Sequence, residues 1–213
     1  MGYKKSQISI AHIVEAAMRV LARQGYARTS LMDIANEVGM SKGAVHYHFP
    51  TKEALMAKVL ETACDTVAKR TRDAWTSSGN PLEALQSSLR ELWRVRSELS
   101  DEAKVVADLL AQSLHDESLR QPLAEYYRFA ATQVEQHLME NLSAIGLKPK
   151  VDPRRMPRLL HALLDGLLMQ KIVDADAIRD DDVMEAFGTL LQALFEVGPA
   201  KPAGPTGPTG RGA

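Results

Sequence analysis

Hydrophobic residues recur at every third or fourth position along most of the chain, and this spacing places them on one face of an α-helix. In the first such segment Ile10, Ile13, Ala17 and Leu21 share a face, and Gly25 ends the segment. Nearly every stretch between turn signals repeats the pattern. The sequence therefore predicts an all-α protein of about nine helices.

Capping residues mark the helix boundaries. Ser30 and Asp33 have the spacing of a capping box, so a second helix is predicted to begin there, and Gly39 ends it. Ser41 caps a third helix that runs to about His48. Later helices are predicted from 51 to about 75, from 81, from 100, from 119 to 145, from 152, and from the end of an acidic loop at 174–182 to about 197.

The second and third helices, joined at Gly39, have the order of a helix-turn-helix. On a helical wheel of about 100° per residue, Val45 and Phe49 fall on the inner side of the third helix. Its other side carries residues that are small or that donate hydrogen bonds, which suits close approach to base edges and phosphates. With the neighbouring helix starts, this face predicts DNA contacts from Thr29, Ser30, Ser41, Lys42, Gly43, Ala44, His46, Tyr47, His48 and Lys52.

The charge distribution agrees with this placement. The whole chain has a formal charge of −1, but residues 1–60 hold eight Lys/Arg and four Asp/Glu, so they carry +4 and the remainder carries −5. A basic N-terminal part beside an acidic body indicates that only the N-terminal part meets a polyanion.

Composition and motifs argue against several other classes of protein. The single cysteine, Cys64, rules out an internal disulfide and fits a reducing cytoplasm. No apolar run approaches the roughly 18 residues of a membrane span, so we expect a cytoplasmic protein without membrane contact. The sequence contains no Gly-rich phosphate loop, nucleophile elbow, paired catalytic carboxylates or metal-ligand spacing. Neither an enzyme nor a metal or other cofactor is expected.

From residue 8 to residue 60 the chain resembles the tetracycline-repressor (TetR) family of bacterial transcription regulators. The resemblance lies in residues 13–17, 25–30, 33–35 and 52–55, and in Gly-Met-Ser-Lys-Gly-Ala-Val-His-Tyr-His-Phe at 39–49. It implies a homodimer that binds a pseudo-palindromic operator, with a ligand-binding core behind the DNA-binding part. His46 departs from the pattern because the family often has a tyrosine there, whose phenol reaches further than an imidazole.

The last two predicted helices carry more leucine than a helix at the edge of a small domain needs to bury. Either the core of one subunit or a four-helix interface with a second copy explains this excess, and the resemblance favours the interface. The predicted interface residues are Leu160, Leu163, Leu164, Leu167, Leu168, Phe187, Leu190, Leu191 and Leu194. The resemblance also implies an apolar effector pocket, for which the candidate residues are Trp93, Arg96, His115, Tyr127 and Met139. An aromatic residue at helical spacing also suits a simple core.

Three parts follow: a helix-turn-helix DNA-binding domain at 1–52, a helical effector-binding and dimerisation domain at 53–197, and a flexible Pro/Gly-rich tail at 198–213. The predicted function is that of a ligand-responsive TetR-type repressor, which binds double-stranded operator DNA as a homodimer and is released by a small, apolar effector. The alternative is a helical DNA-binding regulator or activator without small-molecule control.

Overall fold

The computed structural model describes residues 2–76, 81–142 and 147–197. Over these ranges the chain forms nine α-helices, which confirms the predicted all-α fold. The helices are α1 (Gly2–Gln24), α2 (Leu31–Val38), α3 (Lys42–His48), α4 (Lys52–Thr76), α5 (Pro81–Ser97), α6 (Asp101–Gln112), α7 (Arg120–Leu142), α8 (Met156–Val173) and α9 (Asp180–Leu194). The predicted tail at 198–213 lies outside the described residues, as do residues 77–80 between the predicted fourth and fifth helices. No described helix is both long enough and apolar enough to cross a bilayer.

The predicted caps of the short helices are present. The Ser30 hydroxyl accepts the Asp33 N–H at 3.2 Å, and the Asp33 carboxylate accepts the Ser30 N–H at 2.8 Å, which completes a capping box. Gly39 has a φ of 71°, a left-handed conformation that favours glycine, and it ends α2. The Ser41 hydroxyl accepts the Ala44 N–H at 3.2 Å and begins α3. These local bonds fix the angle at which α3 leaves the turn.

The C-terminal part differs from the prediction at two points. Helix α8 begins at Met156 rather than at Asp152, because the Asp152 carboxylate accepts the Arg154 N–H at 3.0 Å and forms a turn instead of a helix start. Helix α9 ends at Leu194, and the last residues form a strand. Two three-residue strands, β1 (Leu147–Pro149) and β2 (Phe195–Val197), pair antiparallel. Segments this short carry no detectable two-residue period.

One hydrophobic core joins the head, defined here as α1–α3, to the body, defined as α5–α9. Its buried members come from α1–α4 and from α6, the 3-10 turn Glu117–Leu119 and α7. Among them are Ile13, Val20, Ile34, Val45, Leu55, Leu60, Val105, Leu109, Leu119 and Tyr126. A second core lies between α5, α8 and α9. Packing is continuous across residue 52, so the proposed domain boundary there remains a prediction.

Candidate DNA-binding face and effector cavity

The outer face of α3 is open, and its inner face anchors the helix. Val45 is fully buried and Phe49 is buried beside it in the shared core. Tyr47 is 82% exposed, and its ring meets the ring of His48 edge-on at 5.3 Å between centroids. Lys42, Gly43 and His46 are exposed, and Ala44 and His48 are half-buried. The helix therefore presents small and hydrogen-bonding groups outward from a rigid support.

The residues predicted to contact DNA at the other helix starts already form hydrogen bonds within the chain. The buried Thr29 hydroxyl donates to the Gly25 carbonyl at 2.7 Å. The Ser30 hydroxyl donates to the Asp33 carboxylate at 2.6 Å and remains on the exposed side of its helix start. The exposed Ser41 hydroxyl is the cap of α3 described above. Phosphate contacts from these hydroxyls remain predictions. In the structure the Thr29 hydroxyl stabilises the loop between α1 and α2 through its bond to Gly25.

Lys52 points toward the protein. Its ammonium donates to the Tyr26 carbonyl at 2.7 Å and lies 3.5 Å from the centroid of the Tyr26 ring. Burial lowers the pKa of Lys52, while the neighbouring carboxylates Glu53, Asp116 and Asp108 oppose that shift. A phosphate contact from Lys52 therefore requires the side chain to leave Tyr26.

Tyr26 also connects the head to the body. Its backbone N–H donates to a carboxylate oxygen of Asp108 on α6, and its phenol donates to the Asp116 carboxylate at 3.4 Å. Burial, followed by the Asp116 charge, raises the pKa of Tyr26 to about 12. The loop between α1 and α2 is thus tied to the body through both backbone and side chain.

A cavity of ≈ 80 Å³ lies between α4, α5, α7 and α8. Most of its wall is apolar, with a few polar side chains. The lining residues are Cys64, Val67, Ala68, Thr71, Arg72, Leu85, Ser88, Leu89, Leu92, Arg96, Tyr126, Ala130, Gln133, Val134, Leu160 and His161. Burial raises the pKa of the Cys64 thiol to about 12, so this group stays neutral and behaves as an apolar surface. The cavity suits a ligand that is largely apolar.

A chain of hydrogen bonds runs behind one wall of the cavity. The Tyr127 hydroxyl donates to Asp165 Oδ2 at 2.7 Å, and Arg96 Nε donates to Asp165 Oδ1 at 3.0 Å. Arg96 Nη1 donates to the Leu92 carbonyl at 3.0 Å, and its Nη2 lies 3.1 Å from His161 Nδ1. Burial raises the pKa of Tyr127, so its phenol remains a donor. These hydrogen bonds tie α5, α7 and α8 together through buried and partly buried polar side chains.

The five predicted effector residues fall in different places. Arg96 lines the cavity, and Tyr127 lines an adjoining smaller cavity that shares the Arg96 wall. Trp93 is buried in the second core, where its indole N–H donates to Asp180 at 2.8 Å. His115 is exposed beyond the end of α6, and Met139 is 52% exposed. Neither lines either cavity.

Sequence reasoning missed His161 and Asp165 as members of this site. They stand four residues apart on α8, so they share one face of a helix otherwise rich in leucine. Two polar residues that interrupt an apolar helix face are a sequence signal that could have indicated a polar site on α8. The described residues hold no group of three or more His, Cys, Asp or Glu side chains that could bind a metal ion.

The predicted dimer residues divide by burial. Leu164, Leu168 and Phe187 are buried inside the subunit, and Leu164 and Phe187 pack in the second core. Leu163 and Leu190 are exposed. The remaining four, Leu160, Leu167, Leu191 and Leu194, are partly buried. An apolar groove of ≈ 240 Å³ runs between α8 and α9 and is lined by several of these leucines.

Comparisons with known proteins agree with this architecture. Residues 13–59 match the family model described as bacterial regulatory proteins, tetR family, and residues 81–196 match that of the BetI-type transcriptional repressor, C-terminal. The HTH-type transcriptional regulator LmrA of Bacillus subtilis is 33% identical over 131 residues, which cover 60% of this chain and 70% of LmrA.

Solved structures share the fold at low sequence identity. A TetR-family regulator from Rhodococcus sp. superposes with a TM-score of 0.75 at 19% identity, over 87% of this chain and 97% of that chain. A transcriptional regulator from Saccharomonospora viridis, solved in complex with choline, superposes with a TM-score of 0.66 at 22% identity, over 89% of this chain and 99% of that chain. The matched family and relatives are transcriptional regulators and not enzymes. The chain belongs to the TetR family of DNA-binding transcriptional regulators.

Proposed function

We propose that this regulator is a ligand-responsive repressor that binds a pseudo-palindromic operator as a homodimer and releases it when a small, apolar effector binds. The observation that carries the proposal is the geometry of α3. Val45 is fully buried while Tyr47, two residues later, is 82% exposed, so the helix is held rigidly with its polar face outward. A helix presented in this way suits insertion into a major groove.

Helix α4 supports the coupling between ligand and DNA. It begins at Lys52 next to the head, and its residues Cys64, Val67, Ala68 and Thr71 line the cavity. A ligand that displaces this wall also moves the base of the head, because α4 is one continuous helix of 25 residues. In a homodimer such a movement changes the separation of the two α3 helices, and both then no longer fit half-sites at a fixed spacing.

The homodimer is supported by apolar surface on α8 and α9. Leu159 is 64% exposed, and Leu163 and Leu190 are 38% and 40% exposed along the same groove. Contiguous exposed apolar surface of this kind marks an interaction site. Pairing α8 and α9 with the same helices of a second copy covers it with an isologous interface.

The test is binding to DNA over a series of salt concentrations. Fluorescence anisotropy compares a labelled duplex from the upstream region of the gene with a scrambled duplex of equal length and composition. We expect tighter binding to the upstream duplex and a linear fall of log K with log salt concentration. Equal affinity for the two duplexes would instead indicate a DNA binder that does not recognise sequence.

Two lysine variants provide a matched comparison of charge loss. Lys42→Ala removes an exposed charge from the start of α3, whereas Lys69→Ala removes an exposed charge about 25 Å further along α4 than Lys52. We expect Lys42→Ala to weaken DNA binding and to reduce the salt slope by about one, and Lys69→Ala to change neither. Equal effects of the two variants would contradict the placement of DNA at α3.

A further inference from the structure

His161 brings a polar atom without a partner to the wall of the cavity. The residue is 5% exposed, and its ring lines the cavity between α4, α5, α7 and α8. Nε2 of this ring makes no hydrogen bond, and no other buried side-chain nitrogen or oxygen is in this position within the described ranges. Leaving a buried polar group unsatisfied costs free energy, which a ligand recovers when it supplies the partner.

Arg96 determines that Nε2 is a hydrogen-bond donor. The guanidinium has donors only, so the contact of 3.1 Å between Arg96 Nη2 and His161 Nδ1 makes Nδ1 the acceptor. A neutral ring then carries its proton on Nε2. Burial, followed by the positive charge of Arg96, lowers the pKa of His161 to about 4, so the ring is neutral near pH 7. The Ala130 backbone acts on the ring in the opposite direction and raises its pKa, although it makes no hydrogen bond to Nε2 within ordinary limits of distance and angle.

Three other polar side chains of the cavity wall are engaged within the chain, and the Tyr126 phenol also lies on that wall. The Thr71 hydroxyl donates to the Val67 carbonyl at 2.9 Å, and the Ser88 hydroxyl donates to the Thr71 carbonyl at 3.1 Å. Arg72 donates to the Gln133 side-chain oxygen at 3.2 Å. Among the buried side-chain nitrogens and oxygens of the described residues, Nε2 alone lacks a partner, so the wall offers a ligand this N–H group within a largely apolar surface.

We propose that the cavity selects an uncharged, mainly apolar molecule with a carbonyl oxygen, which accepts a hydrogen bond from the Nε2–H group of His161. This assignment rests on the proposed function, because it names the chemical class of the effector. A carbonyl group suits the site better than a hydroxyl group, since it brings no donor of its own that would need a buried partner.

Charged ligands fit this site poorly. A cation would meet the guanidinium of Arg96, and the carboxylate of Asp165 is already held by Arg96 and by Tyr127. A carboxylate ligand would bury a negative charge beside an arginine whose charge is already paired, at a high desolvation cost. An uncharged carbonyl avoids both penalties.

Calorimetric titration of the full chain with three probes tests the assignment. Cyclohexanone and methylenecyclohexane have nearly the same shape and differ in one acceptor oxygen, and tetramethylammonium supplies a small cation. We expect cyclohexanone to bind about tenfold more tightly than methylenecyclohexane, and tetramethylammonium not to bind. In ¹⁵N NMR of the histidine side chains, only the ketone should shift the Nε2 resonance of His161. Equal binding of the two ring probes, no binding of the ketone, or preferred binding of the cation would overturn the assignment.

Two variants separate the donor from the acceptor of the ring. His161→Asn places an oxygen near Nδ1 for Arg96 and removes the donor at Nε2, whereas His161→Gln places an amide N–H near Nε2. We expect His161→Asn to lose the preference for the ketone and His161→Gln to keep part of it. If His161→Asn fails to fold by circular dichroism, the probe pair and the Nε2 resonance of the unmodified chain decide.

The two levels of the proposal fail separately. A ketone that binds with the expected preference but leaves the affinity for the upstream duplex unchanged would refute control by ligand, while the site at His161 stands. An effector without a carbonyl oxygen that binds this cavity and releases the DNA would refute the site and leave the proposed function intact.

Discussion

Acidification should destabilise this fold through His161. In the folded chain its pKa is lowered to about 4, whereas an unperturbed histidine has a pKa of 6.5. Between these values the unfolded state binds more protons than the folded state, so the free energy of unfolding falls as the pH falls from about 6.5 to about 4. Above this window His161 is neutral in both states and has no further effect. A difference of about 2.5 pKa units corresponds to about 3 kcal/mol.

The largest physical cause is burial of the ring, and the contact with Arg96 adds to it. Protonation converts Nδ1 from an acceptor into a donor that faces the guanidinium 3.1 Å away, within a buried site. The Asp165 carboxylate partly offsets this repulsion, and the positive charge of Arg158 adds to it. The folded state therefore disfavours the protonated form of the His161 ring.

Urea unfolding followed by circular dichroism measures the effect at a series of pH values from about 4 to 7.5, at one fixed protein concentration. His161→Gln is the control, because it cannot titrate. The pKa values of Glu91 and Asp116 are lowered in the folded chain, so both proteins lose stability in acid through such carboxyl groups. The stability of the unmodified chain should fall by about 3 kcal/mol more than that of the variant. A constant difference between the two curves would show that the pKa of His161 is not lowered in the folded chain, and would refute the destabilisation proposed for its protonated ring.

Three further substitutions test the packing and the caps. Leu164→Ala empties a fully buried position between α5, α8 and α9 and should lower the free energy of unfolding by about 3 kcal/mol in urea titrations. Ser30→Ala removes the capping box of α2 and should cost about 1 kcal/mol by the same measurement, with α3 unchanged in structure. Trp93→Phe loses the indole bond to Asp180 and should cost about 1–2 kcal/mol, measured as a lower urea midpoint.

A specific result would contradict each of these three predictions. A loss below about 1 kcal/mol for Leu164→Ala would place the side chain at a solvated surface. An unchanged stability for Ser30→Ala would mean that the two reciprocal bonds with Asp33 contribute nothing beyond water. A gain in stability for Trp93→Phe would show that burying the indole N–H costs more than its bond to Asp180 returns.

Much of the head was predictable because its signals are local. Ser30, Asp33, Gly39 and Ser41 act within three or four residues of their own positions, so their spacing alone indicates where α2 and α3 begin and end. The period of the apolar residues likewise predicted that Val45 lies inward. These features need no knowledge of the rest of the fold.

Features that depend on distant contacts were not predictable from the sequence. The partners Arg96 and His161 are 65 residues apart along the chain, and only the packing of α5 against α8 brings them together. The leucines of α8 and α9 are indistinguishable in the sequence pattern. In the structure, however, Leu164 is in the subunit core and Leu159 is 64% exposed. Helical periodicity shows that a face is apolar, but it does not show which neighbour covers that face.

The core shared by α1, α4, α6 and α7 affects how parts of such a regulator can be exchanged. A chimera that replaced residues 1–52 with the head of a relative would place foreign side chains against Val105 and Leu109, and it would also have to reproduce the bond between Tyr26 and Asp108. New operator specificity is therefore easier to obtain by changing exposed positions of α3 than by transplanting the head. An isolated fragment of residues 1–52 would leave Ile13 and Val20 open to water, so we expect it to aggregate rather than fold.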